Sequence, residues 1–522
     1  MELSPVELPL IERAQSGDTS FRLTTATDPA ANPAEGLLAS LCGLGADVAL
    51  PPLPGPGEQY RFHFDMTKCI GCKCCVVACN EQNGNPADIL WRRVGEIEGG
   101  VYPDTQRHYL SMGCNHCLEP TCMTGCPVDA YSKDNITGIV RHSADACIGC
   151  QYCTWNCSYG VPQFNPARGV VGKCDMCYGR LTQSQLPACV SACPEGAIRI
   201  ETVRTDEWRS EYRASANSPG MPSADDSLST TRITLPSRIS GDACKVDLNR
   251  LRPEQPHTPL VLMTVLTQLS VGAFTSIFVL QLFSPRLHRA AALAALLTAA
   301  VALSASTFHL GRPIYAWRAL KMWRRSWLSR EVLLFSLFEV VATTYSVMLL
   351  LGLRGAVLLG ALTTLCGIAG ILASARLYLV PGRPAWNSPF TFVEFFLTAA
   401  LFGALSASTL RGATPLTQSL FTLVAMLVFV AGAAKLFWLY RSEAHELRGA
   451  AILLLTVLST PLFTRYALLA SALIALPFAH GPLALLGITT LVLAGELLSR
   501  WLFFVSVVPT NIAMQYLAPE AA

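Results

Sequence analysis

The chain has 522 residues, of which 51% are hydrophobic and only 14% are charged. This composition is too apolar for an average soluble protein, and the formal net charge of +3 gives no reason to expect nucleic-acid binding. Seventeen of the 20 cysteines lie between Cys69 and Cys193, whereas long apolar runs dominate after about residue 257. The two halves therefore belong in different solvents, and the length allows two or three domains.

Residues 1–60 are rich in Pro, Ala, Gly and Leu and are expected to form a poorly ordered extension; alternatively, they dock a partner. The opening sequence MELSPVELPLIERAQSGD has neither a basic region followed by an apolar one nor a twin-arginine pair, so it predicts no export signal. Disulfide scaffolds form mainly in oxidising compartments. The cysteines are therefore predicted to bind metal.

Residues 61–202 contain four groups of four cysteines. They are Cys69, Cys72, Cys75 and Cys79; Cys114, Cys117, Cys122 and Cys126; Cys147, Cys150, Cys153 and Cys157; and Cys174, Cys177, Cys189 and Cys193. Three thiolates two residues apart can hold three corners of one cubane, while the fourth reaches a different cluster. Pro127 and Pro194 match the C-P ending of bacterial ferredoxin runs. The repeat predicts an α+β ferredoxin-like iron–sulfur domain, built from two di-cluster units, that binds iron in four 4Fe–4S clusters.

Two other uses of these cysteines are disfavoured. Zinc sites use paired C-x-x-C units but have no need for a third cysteine two residues later and a fourth three residues after that. Disulfides do not explain the repeat. Cys74 lies inside the first group but breaks its spacing, so it is predicted to be a bystander near the cluster.

Residues 203–256 are rich in Ser, Pro, Asp and Arg and are predicted to be a linker and docking segment. A membrane-spanning helix needs roughly 20 apolar residues. Residues 257–514 therefore predict an all-α transmembrane anchor domain of about eight helices. The candidates are 259–283, 289–309, 331–353, 355–380, 389–410, 415–440, 463–480 and 482–508. The stretch from Arg448 to Arg465 is interrupted by Pro461, and it either lies at the interface or lengthens the seventh span.

Several runs resemble proteins of the dimethyl sulfoxide reductase family. CIGCQYCTWNCSYGVPQFN, KCDMCYGRL, PACVSACP, WRRVGEIEGG and GCNHCLEPTC resemble its iron–sulfur subunit. TPLVLMTVLTQLSVGAF, FHLGRP, LSREV and AGELLSRWLFF resemble its membrane anchor subunit. The family usually keeps these subunits as separate chains, so this chain looks like their fusion. The resemblance implies an anchor without haem, and the predicted spans offer no pair of histidines for axial ligation.

The resemblance also implies how the cysteine groups combine, with group one pairing with group four and group two with group three. Cys69, Cys72 and Cys75 would share a cluster with Cys193, and Cys174, Cys177 and Cys189 with Cys79. Cys114, Cys117 and Cys122 would pair with Cys157, and Cys147, Cys150 and Cys153 with Cys126. Some relatives replace a cysteine of the third group and hold a three-iron cluster; all three are present here, so a full cubane is expected.

By resemblance, the chain would be the electron-transfer and quinone-reactive subunit of a membrane-bound oxidoreductase. It would connect the quinone pool to a separate molybdopterin subunit, and the family's usual substrate is dimethyl sulfoxide or a similar oxide. A cytoplasm-facing sulfite dehydrogenase is the alternative substrate class. A stand-alone membrane ferredoxin or redox sensor, and a subunit of a hydride- or proton-pumping complex, are rival functions. A four-cluster relay without a substrate site needs a partner at each end, which disfavours both rivals.

The basic residues predict the orientation of the chain in a bacterial-type inner membrane. The loop after the second predicted span carries Arg312, Arg318, Lys321, Arg324, Arg325 and Arg330, and later loops on the same side carry Arg383, Arg441 and Arg448. The opposite loops offer Arg286, Arg289, Arg354 and Arg411. The positive-inside rule therefore predicts a cytoplasmic cluster domain. Alternatively, the basic loop is a docking face for the cluster domain or a partner.

His309 and Glu331 are the candidates for a quinone site, because ionisable groups at membrane depth are costly and usually functional. His309 ends the second span and Glu331 opens the third, so both are expected at the membrane face nearest the clusters. By resemblance, the nearest cluster would be the one held by Cys147, Cys150 and Cys153. Alternatively, His309 caps its helix and Glu331 only pairs with Arg330 or Arg312.

Overall fold

Short strands and helices surround the cysteines in the first half of the chain. The computed structural model describes residues 49–284, 288–353, 355–412, 414–479 and 481–511. Residues 1–48 of the predicted extension, and Arg286 and Arg354, lie outside the described residues. The helices of this half are α1 (Cys74–Asn83), α2 (Thr121–Gly125), α3 (Tyr152–Asn156), α4 (Tyr178–Leu181), α5 (Ala188–Ser191) and α6 (Thr205–Ser215).

The strands form two three-stranded sheets and two hairpins. β1 (Glu58–Asp65) lies between β8 (Ile198–Arg204) and β9 (Arg232–Thr234), antiparallel to the first and parallel to the second. β2 (Arg93–Gly99) lies between β3 (Gln106–Met112) and β10 (Cys244–Lys245). The hairpins are β4 (Tyr131–Lys133) with β5 (Val140–His142), and β6 (Gln163–Asn165) with β7 (Val170–Gly172).

The alternation of side chains along β1 explains the core of the cluster domain. Successive side chains of a strand point to opposite faces, and Tyr60, Phe62 and Phe64 are all buried. Phe62 lies opposite Ile200 of β8. This apolar layer is continuous with the buried cysteines Cys75, Cys114, Cys174 and Cys189, so the sheet supports the cysteine loops from one side.

The segment 203–256, predicted as a linker, contributes regular structure to the cluster domain. It contains α6, β9 and β10, and the last two add a strand to each sheet. Trp208 of α6 is buried, and its indole N–H donates a hydrogen bond to the Ser229 carbonyl at 2.9 Å. Ser227 donates to the Cys117 sulfur at 3.1 Å. The segment therefore covers one of the cysteine groups before the polypeptide reaches the membrane helices.

The second half is helical. Its helices are α7 (Thr258–Phe283), α8 (Arg289–Thr307), α9 (Trp327–Leu351), α10 (Ala356–Leu377), α11 (Pro389–Arg411), α12 (Pro415–Arg441), α13 (His445–Leu455), α14 (Ser459–Ala475) and α15 (Pro482–Val505). All except α13 are long and apolar enough to span a membrane, with α14 continuing as a short 3₁₀ turn to Phe478. These eight candidates indicate that the protein crosses the membrane several times.

The stretch from Arg448 to Arg465, which contains Pro461, is divided between two helices. Its first part belongs to the short helix α13, which ends at Leu455. Its second part opens α14 at Ser459, so Pro461 lies in the first turn of the seventh span. Proline is tolerated there because the first backbone N–H groups of a helix have no partner within the helix.

Helix α7 has the largest buried share of the eight candidate spans, and small and weakly polar residues form several of its contacts with other helices. A Cβ atom at Gly272 would lie only 2.4 Å from the Ala399 carbonyl oxygen, so α7 and α11 approach closely there. Ser270 donates to the Ala295 carbonyl of α8 at 2.8 Å, and Ser276 to the Gly403 carbonyl of α11 at 2.6 Å. Small residues and interhelical hydrogen bonds of this kind stabilise helix contacts within membranes.

Candidate iron–sulfur centres and membrane-facing site

The sixteen predicted ligands form four sets in space, which we number from the far end of the cluster domain to the membrane. Site 1 is Cys69, Cys72, Cys75 and Cys193; site 2 is Cys79, Cys174, Cys177 and Cys189; site 3 is Cys114, Cys117, Cys122 and Cys157; site 4 is Cys126, Cys147, Cys150 and Cys153. The thiols of sites 1 and 3 each line a cavity. These four groupings are the ones that the resemblance implies.

The first C-x-x-C loop of each cysteine group has the same backbone turn. The residue before the second cysteine has a positive φ in all four loops: Gly71, His116, Gly149 and Met176. In two of them the N–H of this residue points at the first cysteine, with Gly149 N to Cys147 Sγ and Met176 N to Cys174 Sγ both 3.4 Å. The turn therefore aims a backbone donor at a ligand sulfur.

The C-P ends of groups two and four provide a second pair of donors. Ala130 N–H donates to Cys126 Sγ and Ala197 N–H donates to Cys193 Sγ, each at 3.3 Å. Hydrogen bonds to sulfur are among the protein contacts that set the reduction potential of a cluster. Four thiols per set, with backbone donors aimed at their sulfurs, fit cubane clusters ligated by cysteine.

The four sites follow one another in a row. Cys189 of site 2 interacts electrostatically with Cys75 of site 1, and Cys174 of site 2 interacts with Cys114 of site 3. The buried Tyr131 lies between sites 3 and 4, because its phenol interacts with Cys122 on one side and Cys153 on the other. The arrangement is therefore an unbranched path from site 1 to site 4.

Site 4 meets the membrane domain at the FHLGRP loop. A Cβ atom at Gly149 would lie 2.4 Å from the Gly169 oxygen and 2.8 Å from Gly311 Cα, so only glycines permit this close approach. Gly311 N–H donates to the Gly149 carbonyl at 3.3 Å, and Arg312 N–H donates to the Ile148 carbonyl at 3.1 Å. The same contact places His309 Nε2 at 3.2 Å from the Cys150 carbonyl oxygen.

Trp155, next to the ligands Cys153 and Cys157 in helix α3, inserts into the membrane domain. Its ring stacks near His309 with centroids 6.2 Å apart and meets His257 edge-on at 5.2 Å. Two further rings complete this aromatic cluster: those of Trp386 and Tyr378, whose centroids lie 5.3 and 6.0 Å from that of Trp155. Neighbouring Tyr152 donates its hydroxyl to the Leu377 carbonyl at 2.9 Å. Helix α3 therefore connects the ligands of sites 3 and 4 to the ends of the membrane helices.

Burial acts on both histidines beside Trp155. His257 and His309 lie 5.2 Å apart between ring centroids, outside the spans at their cluster-facing ends. Burial lowers the pKa of His257 to about 4, and burial also lowers the pKa of His309 below its ordinary value. A neutral imidazole can donate from one nitrogen and accept at the other.

Glu331 lies near Tyr152 of helix α3. It lies in the first turns of α9, only 6% exposed, and its Oε1 has no hydrogen-bond partner among the described residues. Tyr152 and Tyr378 are its electrostatic neighbours. Within the described structure, His309 and Glu331 make no direct ion pair. They are connected through helix α3, because Trp155 lies next to His309, Tyr152 lies next to Glu331, and the centroids of these two rings are 6.3 Å apart.

Arg330 and Arg312, the predicted ion-pair partners of Glu331, donate to backbone carbonyls instead. Arg330 donates to the Trp323 and Arg324 carbonyls at 3.1 and 2.7 Å. Arg312 donates to the Ala144 carbonyl at 2.9 Å. Glu331 is therefore a buried carboxyl with a free acceptor atom, next to two tyrosines.

The basic loop between α8 and α9 is also a docking face for the cluster domain. Arg318 donates to the Asp145 carbonyl at 3.0 Å, and Arg325 donates to the Met123 carbonyl and to Asp129 at 3.1 and 3.2 Å. These contacts, with that of Arg312, join the loop to the cluster domain around groups two and three. The excess of basic residues on this side therefore has a structural use.

Glu394 and Glu496, two further intramembrane carboxylates, have partners of their own. Glu394 pairs with Lys435 at 2.8 Å, and Glu496 accepts from the Thr398 hydroxyl at 2.6 Å. Arg500, four residues after Glu496, donates to Gln268 at 3.0 Å and lies 3.7 Å over the Phe395 ring. Although Glu496 and Arg500 are four residues apart on one helix, each forms its hydrogen bond with another helix.

Family models match both halves of the chain. A 4Fe-4S dicluster domain matches residues 105–203, and the DMSO reductase anchor subunit (DmsC) matches residues 254–505. Together these matches agree with the fold, an iron–sulfur domain followed by membrane helices.

Known relatives match the first half. The chain is 36% identical over 197 residues to one component of the anaerobic dimethyl sulfoxide reductase of Haemophilus influenzae, covering 35% of this chain and 94% of the relative. It is 36% identical over 174 residues to the corresponding Escherichia coli protein, covering 32% and 83%. It is also 35% identical over 160 residues to one component of the sulfite dehydrogenase of Allochromatium vinosum, covering 27% and 67%. The chain therefore belongs to the dimethyl sulfoxide reductase family, as an electron-transfer iron–sulfur subunit fused to its membrane anchor.

Proposed function

We propose that this chain carries electrons between the membrane quinone pool and a separate molybdopterin catalytic subunit, through four 4Fe–4S clusters at sites 1 to 4. The observation that carries the proposal is the unbranched row of four cysteine sets, whose last member touches the membrane domain at His309. A relay needs a donor at one end and an acceptor at the other. Site 4 would exchange electrons with quinone, and site 1 with the catalytic subunit.

The membrane end would bind the quinone head group beside helix α3. His309 offers an imidazole whose Nε2 already faces the Cys150 carbonyl, and Glu331 offers an unpartnered carboxyl oxygen. Quinone reduction takes up two electrons and two protons, and quinol oxidation releases them. A hydrogen-bonding histidine and a buried carboxyl are suitable groups for binding the carbonyl oxygens and for moving these protons.

A direct test is to mix the anaerobically purified full chain with a reduced quinone and follow the loss of cluster absorbance. We expect the clusters to be reduced by the quinol without any added catalytic subunit. Oxidised clusters that remain oxidised with quinol, yet are reduced by dithionite, would contradict a quinone-reactive function. Co-purification of a large molybdenum-containing chain would support the proposed partner, and its absence from the native complex would contradict it.

Two substrate classes fit the relatives. Reduction of dimethyl sulfoxide or a similar oxide is favoured, since the iron–sulfur relatives that are matched over most of their own length are named after that activity. Oxidation of sulfite is the second candidate, favoured by the relative from a sulfite dehydrogenase. Activity of the native complex with each substrate distinguishes them.

We further propose that the cluster domain faces the cytoplasm. With eight spans, the cluster domain and the C-terminus share a side, and that side carries most of the basic loop residues. A fluorescent protein fused after Ala522 is then expected to fluoresce, and alkaline phosphatase fused at the same position is expected to be inactive, because its disulfides form only in the periplasm. The reverse pattern would overturn the proposed orientation.

A further inference from the structure

Two positively charged side chains are buried between the proposed clusters. Lys173 and Arg92 are each only 3% exposed. The groups that interact most strongly with Arg92 are the thiols of Cys189, Cys75, Cys174 and Cys79. Those that interact most strongly with Lys173 are the thiols of Cys114, Cys122 and Cys174. A buried charge is costly unless an opposite charge compensates it.

Lys173 lies at the junction of sites 2 and 3. Its ammonium donates to Cys114 Sγ of site 3 at 3.6 Å and to the Cys174 carbonyl of site 2 at 2.8 Å. A third donor goes to the Val140 carbonyl. Asp175 is the carboxylate that interacts with it, more weakly than the three thiols, and no ion pair joins them within the described residues. The compensating negative charge for Lys173 is therefore that of the two cysteine sites.

His116 supports the same junction as a neutral donor. Val140 N–H donates to His116 Nδ1 at 3.1 Å, so the ring proton lies on Nε2. Nε2 faces Cys174 Sγ at 4.0 Å. The junction thus presents a full charge and a dipole to the ligands of sites 2 and 3.

Arg92 has the corresponding place between sites 1 and 2. Its Nη1 donates to the Ser111 hydroxyl at 3.3 Å, and that hydroxyl lies 3.3 Å from Cys75 Sγ of site 1. Its Nη2 is buried without a hydrogen-bond partner among the described residues. The guanidinium is always charged. The negative charge that compensates it is that of the cysteine thiolates of sites 1 and 2.

Site 4 has no fully buried cation of this kind within the described part of the chain. The basic residues that contact the cluster domain around site 4 are Arg312, Arg318 and Arg325. They donate to the Ala144, Asp145 and Met123 carbonyls from a loop that is partly exposed to solvent. Water screens charges at the surface far more than charges in the interior. The two buried cations therefore act on sites 1, 2 and 3, whereas site 4, next to the membrane, has no such neighbour among the described residues.

We propose that Lys173 and Arg92 set the potential profile of the relay, Lys173 by raising the reduction potentials of sites 2 and 3, and Arg92 by raising those of sites 1 and 2. Adding an electron makes a cluster more negative, and a nearby fixed positive charge stabilises that form. Site 2 receives both contributions and site 4 neither, so these shifts favour electron transfer from site 4 through site 3 to site 2, away from the membrane. This inference rests on the proposed four-cluster function.

The test is a redox titration of the anaerobic full chain, followed by electron paramagnetic resonance. Lys173→Met is expected to lower two of the four midpoint potentials by at least 59 mV, which is a tenfold change in the one-electron equilibrium. The other two midpoint potentials should change by less than half of that value. Arg92→Met is expected to lower two potentials, and the double variant should contain one cluster that shows both shifts. Lys173→Arg keeps the charge and should stay near the parental potentials.

Lys133 provides a matched control. It donates to the Cys117 and Leu118 carbonyls at 3.0 and 3.2 Å but is partly exposed, so Lys133→Met should lower no potential by as much as Lys173→Met. If methionine at position 173 causes iron loss, Lys173→Gln, which keeps an N–H donor, takes its place. Unchanged potentials, or four equal shifts, in protein with about sixteen iron atoms would overturn this inference alone. A parental protein with far less iron would instead overturn the four-cluster proposal.

Discussion

Replacing His309 with alanine is expected to slow the reduction of the clusters by quinol about 100-fold, while leaving their iron content unchanged. The imidazole touches the Cys150 carbonyl and stacks near Trp155, so it lies between site 4 and the space where a head group would bind. Loss of a group that binds and moves protons typically costs 10²- to 10⁴-fold. The measurement is stopped-flow absorbance with a reduced quinone, and dithionite reduction provides the total cluster signal.

The same assay tests Glu331, where glutamine keeps the shape of the side chain but removes the ionisable carboxyl. We expect Glu331→Gln to lower the rate at least tenfold, because protons must leave with each electron pair. His445→Ala and Glu339→Gln are matched controls: His445 opens α13 on the cluster side, and Glu339 lies two turns deeper in α9. If the His309 and Glu331 variants keep all clusters and react with quinol at the parental rate, the quinone site lies elsewhere.

Cys153→Ser is expected to remove or convert one cluster and to stop electron transfer from quinol to the other three. Cys153 belongs to site 4, the site of the row that contacts the membrane domain through the His309 loop. We expect a loss of between about one and four iron atoms per chain, since a cubane that loses a ligand either loses one iron or is not assembled.

Cys74→Ser is the control for this substitution. Cys74 is exposed and lies in helix α1 outside the four sets, so the variant should keep its iron and its reaction with quinol. The two outcomes that would contradict the proposed role of Cys153 are parental iron content in Cys153→Ser, and quinol reduction of the remaining clusters at the parental rate. The second result would mean that electrons enter the row at another site.

Most of the fold could be predicted from the cysteine pattern and the apolar runs. The spacing of the four groups fixes which thiols share a loop, and the eight predicted spans agree with eight helices because both depend on runs of about 20 apolar residues. The boundaries were less accurate: α9 begins at Trp327, four residues before the predicted start at Glu331, because Ser329 and Arg330 interrupt the apolar run.

The contacts between the two halves could not be predicted in the same way. Trp155 is one aromatic residue among several in group three, and no period or motif indicates that its ring meets His257 and Tyr378. β9 and β10 are only three and two residues long, too short for a strand pattern, so 203–256 resembled a linker. Lys173 also lacks a signal, because burial between two cysteine loops depends on the folded arrangement.

The number of clusters is the central claim, and iron and acid-labile sulfide per chain test it most directly. Protein purified anaerobically with its membrane domain intact should contain about sixteen iron atoms and about sixteen sulfides, four of each for every cubane. The four cysteine sets found in the structure lead to this value. Intact protein with about eight iron atoms or fewer, which is two clusters, would contradict the account.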